Sequence, residues 1–215
     1  MGRSCPGKLT LMSPQVANKE MTHGSARPNP IEVYQGVAQS IVSTLGNVNA
    51  SQLSASTPCV EWTVQKLINH NINVQTFLHA TLTGQTMDPG SMFQVDGPIP
   101  QEGAEAALKS ITDTVISAAQ GMDLSTVVTT PFGEMPAGHF MMIPILDLVV
   151  HQWDVASATN QNKAMDSAVA EICLGVLSPE AVEGGRKMGA FGPEVVIPST
   201  GSAQDKLLGL TGRTP

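Results

Sequence analysis

A chain of 215 residues that is 41% hydrophobic can bury a real core, and it fits one domain or one domain with an appendage. Only 13% of the residues are charged, and 11 Lys and Arg stand against 18 Asp and Glu, a net charge of −7. With no basic patch or charge run, the chain is not built to track nucleic-acid phosphates or to lie on a membrane surface.

Residues 1–28 carry Gly, Pro and Ser throughout and no sustained apolar period, so they read as a loose extension. Met12 and Met21 inside it leave the position of the start codon open. A first helix is expected from Pro30 to Leu45: Pro suits a first turn, and Val33, Val37, Ile41 and Leu45 fall four apart, with Tyr34 and Val42 beside them. A second helix is expected from about Thr63 to Leu82, its inner face marked by Val64, Leu67, Val74, Phe77, Leu78 and Leu82. Residues 85–101 are rich in Gly and Pro and read as a loop.

A third helix follows from about Gly103 to Ala119, with Ala104, Ala107, Leu108, Ile111, Val115 and Ala118 inward. The stretch STVVTTPFGEMPAG suggests a short extended piece and a turn. The fourth helix, about Gly138 to Thr159, contains Pro144, which either kinks it or marks its true start. Another helix is expected over about Asp166–Leu177, then an irregular stretch with a short strand at Glu194–Ile197, then a short helix over 202–210. Four long helices with few strand candidates predict a mainly all-α protein: an antiparallel four-helix bundle over residues 29–160, with a small helical and irregular C-terminal addition over 161–215.

No apolar stretch reaches the roughly 20 residues a bilayer span needs, and residues 1–28 lack the apolar region of a secretory signal. Cys5, Cys59 and Cys173 are odd in number, widely spaced and in no CxxC pattern. A reducing cytoplasm is therefore the expected location. A low-charge bundle surface is compatible with a homodimer.

Chemistry concentrates on two helices. His70 falls within the inward stripe of the second helix, three residues after Leu67 and four before Val74. On the fourth, Leu146, Leu148, Val149, Val150, Trp153, Val155 and Ala156 wrap most of the circumference, which is the pattern of a buried helix. Its polar exceptions Asp147, His151 and Asp154, at i, i+4 and i+7, share one face, with Gln152 turned elsewhere. A buried carboxylate and imidazole are costly unless paired or metal-bound. Asp147 and His151 can ligate one divalent ion, with His70 from a facing helix as third ligand. Asp154 is placed to accept the free ring N–H of His151. The same residues also fit a buried hydrogen-bonded pair with no metal. His79 lies near the outer end of its helix and His23 in the extension. His139 precedes the fourth helix, on the side of a site mouth. Cys59 reads as a small apolar residue at a helix entrance and Glu134 as a turn carboxylate.

At this point the chain is recognisable. TPCVEWTVQKLINH, residues 57–70, resembles the opening of the second helix in mycothiol-dependent maleylpyruvate isomerase-like proteins, of the DinB/YfiT-like superfamily of metal-binding four-helix bundles. TPFGEMPAG, DLVVHQWDVASATNQ, AFGPEVVIP and DKLLGLTGRTP resemble further segments of that family, in order, so that the likeness covers about residues 30–215. The resemblance implies a divalent metal in the bundle core, commonly zinc, with nickel or another divalent ion as alternatives. Residue by residue, its ligands fall on His70, Asp147 and His151. Where Asp147 stands, the superfamily often has His and the characterised isomerase Glu. The implied activity is that of a metal-dependent thiol transferase or isomerase, with a small-molecule thiol of the mycothiol type and an electrophilic substrate as partners. A non-catalytic metal- or small-ligand-binding bundle, a structural domain and a metal-dependent hydrolase are the alternatives. Three departures stand out: Asn71-Ile72-Asn73 after the Asn-His pair, Ser157 where an Arg is common, and Asn160 where a Gly is usual.

Overall fold

The computed structural model describes residues 28–215. The expected extension, with Cys5, Met12, Met21 and His23, lies outside the described residues except for Pro28. Helix α1 spans Pro30–Gly46, α2 Val64–Leu82, α3 Ala104–Gln120 and α4 Ala137–Ala158. These four form the bundle, with α1 and α2 each packed against both α3 and α4. Shorter helices follow: α5 Ser167–Val176, α6 Pro179–Lys187 and α7 Ala203–Leu210. α5 packs on α7 and also touches α4. Among the described residues no helix is long and apolar enough to cross a membrane.

Local chemistry sets the ends of these helices. The Asn29 side chain accepts from the Ile31 N–H at the start of α1, with Pro30 in the first turn. Thr63 caps α2 by accepting from the Lys66 N–H. Ser202 and Asp205 form a reciprocal capping box on α7. α4 continues through Pro144, which therefore sits in the helix interior rather than at its start and removes the backbone bond to the Phe140 carbonyl. Burial of nearly the whole surface of α4 overrides that local cost.

The core is built from the predicted stripes. Tyr34, Ile41 and Leu45 of α1, Leu67, Ile68 and Leu78 of α2, Leu108 of α3 and Met141, Ile145 and Leu148 of α4 are fully buried. Each fully buried Leu or Ile contributes roughly 1.5–3 kcal/mol over an exposed one. On α3 the inward face is turned slightly from the expected one: Thr112 and Ala119 are buried, whereas Ile111 and Ala118 are half-buried. A polar seam crosses this core. Tyr34 Oη donates to Gln75 Oε1 at 2.8 Å, and Asn71 Nδ2 donates back to the Leu67 carbonyl at 2.7 Å.

Between α3 and α4 the expected extended piece is a hairpin. Strand β1 (Val127–Thr130) pairs antiparallel with β2 (Gly133–Pro136), in the register Val127 to Pro136 and Thr130 to Gly133. Gly133 takes φ +102, open to glycine and strained for other residues. Two C-terminal expectations change. Residues 179–187 form α6, capped by Ser178, so the stretch expected to be irregular from Gly184 begins inside a helix. Gly185 is required there: a Cβ would lie 2.4 Å from the Phe191 ring. Residues 194–197 have no regular secondary structure, so the strand expected there is absent among the described residues.

Candidate metal centre

α2 and α4 each bring one buried histidine to a shared point. His70 is 3% and His151 7% exposed. Their Nε2 atoms each lie 3.4 Å from Asp147 Oδ1. The second carboxylate oxygen, Asp147 Oδ2, is buried and has no hydrogen-bond partner. One donor atom from each of His70, Asp147 and His151 lies within 4.8 Å of the others.

The outer nitrogens of both rings are committed. His70 Nδ1 lies 2.9 Å from the Met92 carbonyl, which can only accept, so that nitrogen carries the hydrogen. His151 Nδ1 lies 2.9 Å from Asp154 Oδ2 and donates to it in the same way. In the neutral rings both Nε2 lone pairs then face a carboxylate oxygen. Three acceptors pointing at one another are repulsive unless a cation or extra protons lie between them. Two imidazoles, each held from behind, and a carboxylate with one oxygen unpartnered fit a divalent ion by donor chemistry.

The same electrostatics appear in the titration of the cluster. Burial by itself disfavours the His151 imidazolium, but the Asp147 and Asp154 carboxylates outweigh it and raise the group to about 9. Burial would raise the Asp147 carboxyl, and the two histidines instead hold it far below the usual range. Asp154, fully inaccessible, is likewise held low against burial by its bonds from His151 and Arg213.

Arg213 was not singled out by sequence reasoning. Its Nε donates to Asp154 Oδ1 at 3.2 Å and its Nη2 to Asp154 Oδ2 at 2.8 Å, while Nη1 donates to the Thr211 carbonyl at 2.8 Å. A cation thus reaches the α4 carboxylate from the segment after α7, while Ser157, where an Arg is common, has a buried hydroxyl without a partner. Asn160 takes φ +57 just past α4, which explains how it can stand where Gly is usual: Asn tolerates the left-handed region.

Trp62 also escaped the sequence reading. Its ring centroid lies 4.5 Å from that of His70 and 5.9 Å from that of His151. Thr57 Oγ1 donates to the Trp62 carbonyl at 2.8 Å, and Glu61, at φ +83, turns the chain before it. On the other side, residues 92–97 are pinned to α2 by an amide ladder with helical spacing. Gln65 Nε2 donates to the Gly97 carbonyl, Asn69 Nδ2 to those of Val95 and Gly97 at 3.0 Å each, and Asn73 Nδ2 to that of Gln94 at 3.0 Å. The ladder gives Asn73, one of the unusual asparagines, a role. It also presents the Met92 carbonyl to His70.

Cys59, His151 and Asp154 form a second group of possible ligands. Asp154 and His151 Nδ1 are already spent on each other and on Arg213, and burial pushes the Cys59 thiol up to about 11, so this group suits a metal less well. His139 is exposed in the first turn of α4, two turns from Asp147. His79 is half-buried and Glu134 exposed, and none of the three joins either group.

The comparisons with known proteins agree with this architecture. The family model described as mycothiol maleylpyruvate isomerase N-terminal domain matches residues 35–156, a range that holds His70, Asp147, His151 and Asp154. Two Mycobacterium tuberculosis proteins, from strains CDC 1551 and H37Rv and both named as uncharacterised, are 29% identical over 189 residues, covering 86% of this chain and 98% of their own. The crystal structure of the mycothiol-dependent maleylpyruvate isomerase is similar with a TM-score of 0.58 and 16% identity, over 70% of this chain and 67% of that one. A histidine-to-alanine mutant of that isomerase is similar at 0.54 and 14%, over the same shares. At these identities the likeness to solved structures is one of fold.

Proposed function

The chain belongs to the mycothiol maleylpyruvate isomerase N-terminal domain family, and on that premise we propose that it is a metal-dependent thiol transferase or isomerase. Its metal would be zinc, held by His70, Asp147 and His151. Its thiol would be a low-molecular-weight one of the mycothiol type, and its second substrate an electrophile. The reaction would run in the cytoplasm, where such a thiol stays reduced.

The observation that carries this reading is the convergence of two imidazole Nε2 atoms on one carboxylate that keeps an oxygen without a partner. A divalent ion bound there supplies the Lewis acidity that makes a thiol or water acidic near neutral pH. The protein's own groups do the rest. The Met92 carbonyl and Asp154 fix the tautomer and aim of the two histidines. Arg213 balances the charge of Asp154 so that the carboxylate stays ionised while fully buried. Trp62 packs against both imidazoles and shields them from water. Asp147, 27% exposed at its side chain, marks the open side from which a small molecule reaches the centre.

The test is mycothiol-dependent turnover of an electrophile panel by the zinc-loaded protein, beside His151→Ala. Thiol-dependent turnover that disappears with both metal and His151 is expected. A fully active, metal-free His151→Ala protein would overturn the mechanism.

A further inference from the structure

Beside the centre, an exposed aromatic side chain stands against one of the two histidine rings. Phe93 stands with its ring centroid 5.7 Å from that of His70, yet 59% of it remains exposed. Trp62, from a different segment, packs on the same ring at 4.5 Å. A single exposed Phe needs no explanation. Here an aromatic face is presented to solvent on the same imidazole that Trp62 covers from the other segment.

Charge is distributed in the opposite sense from an anion site. The two cations on the segments that frame the centre are engaged: Arg213, only 5% exposed, is forked onto Asp154, and Lys66 Nζ lies 2.8 Å from Asp96. The framing segments also carry Glu61, Asp88 and Asp96, all exposed. Among the described residues of these segments, a carboxylate on an incoming substrate would meet no unengaged cation, while Glu61 and Asp88 remain as like charges.

From these two observations we propose that the electrophile is an uncharged, apolar molecule, aromatic or unsaturated, whose body lies against Phe93 and Trp62, and that Phe93 determines this specificity. The inference rests on the thiol-transfer reading for its chemistry, and its binding component can be measured without that chemistry. In the reaction the thiol sulfur bonds to the electrophilic carbon. With an aryl chloride, the C–Cl bond breaks, chloride leaves with the bonding pair, and the thiol proton passes to buffer.

The experiment uses the zinc-loaded full chain and two matched pairs of compounds. Binding without thiol is measured by equilibrium dialysis with 2,4-dinitrotoluene against 2,4-dinitrobenzoate. Conjugation of mycothiol is measured with methyl 4-chloro-3,5-dinitrobenzoate against 4-chloro-3,5-dinitrobenzoate, each rate divided by its uncatalysed rate. The neutral member of each pair is expected to be favoured by roughly tenfold, the scale of one apolar contact in a partly open site. Phe93→Ala should erase that preference by weakening the neutral compound alone, and Phe93→Lys should invert it, both with unchanged zinc content and thermal stability. Neutral-selective binding that depends on Phe93, without conjugation of either chloride, would uphold the inference and remove the thiol-transfer reading. Equal or tighter binding of the carboxylates, or a preference that survives Phe93→Ala, would overturn the inference whether or not conjugation occurs.

Discussion

Arg213 grips Asp154 with two nitrogens, at 3.2 and 2.8 Å, and the two side chains are 5% and 0% exposed. The pair joins the segment after α7 to the middle of α4, and Asp154 in turn accepts from His151. The C-terminal segment is thereby wired, through one carboxylate, to the face of α4 that carries the candidate centre. Replacing Arg213 by Met leaves that carboxylate buried without its counter-ion, which costs about 3–5 kcal/mol. Urea unfolding of Arg213→Met should show a loss of that size. Zinc affinity should fall by about ten- to a hundredfold, because the acceptor behind His151 loses its hold. Arg213→Met with wild-type stability would contradict the role given to this pair.

Metal-free protein should lose stability as pH rises toward 9. The His151 imidazolium is raised from 6.5 to about 9 in the folded chain. Its stabilising contribution is complete below about 6.5 and disappears as pH climbs through 9. Asp147 and Asp154 are held low, so their contribution is complete above the usual carboxylate range and fades only in acid. Zinc binding has the opposite sign over the same window, since the ion displaces the His151 proton and binds more tightly as pH rises. Melting temperatures of chelator-treated protein from pH 6 to 9.5 check this. A flat profile in wild type, matching that of His151→Gln, would contradict it.

The amide ladder makes a separate prediction. Asn69 donates to two carbonyls, those of Val95 and Gly97. Asn69→Leu should release the 92–97 segment, at a cost of about 1 kcal/mol for a partly exposed pair of bonds. The Met92 carbonyl would no longer hold His70, so zinc binding should weaken more than stability does. Limited proteolysis within 92–97 and a zinc titration on the same variant read both effects. Unchanged zinc affinity would separate the ladder from the centre.

Tyr34 and Gln75 test the polar seam of the core. Tyr34→Phe strands the Gln75 carboxamide, whose Nε2 already lacks a partner, and should cost about 1–3 kcal/mol. Adding Gln75→Leu removes the stranded group and should recover part of the loss in a double-mutant cycle. Additive losses would show that the hydrogen bond does not couple the two residues.

What could be read in advance follows the range of the physical signal. The four long helices announce themselves by apolar period, and the placement of Asp147, His151 and Asp154 on one face follows from the pitch of a single helix. The inward direction of His70 follows from Leu67 and Val74 on either side. The Arg213–Asp154 pair spans 59 positions, and no periodicity carries it. Trp62 and Met92 reach the histidines through a turn at Glu61 and a single short 3-10 turn at Pro89–Phe93, whose geometry comes from local hydrogen bonds rather than from apolar period. α6 escaped because its adjacent glycines, the second of which lets Phe191 pack close, lower the apparent helix propensity. The expected strand at 194–197 has the right residue types but no partner strand beside it.

The most direct test of the central claim is elemental analysis of untagged protein, wild type beside His70→Ala, each checked for an intact helical fold. The convergence of His70, Asp147 and His151 predicts close to one zinc per chain in the wild type and its loss in the variant. No bound metal in either protein after reconstitution would contradict the metal centre, and leave the two histidines and the aspartate as a buried polar network.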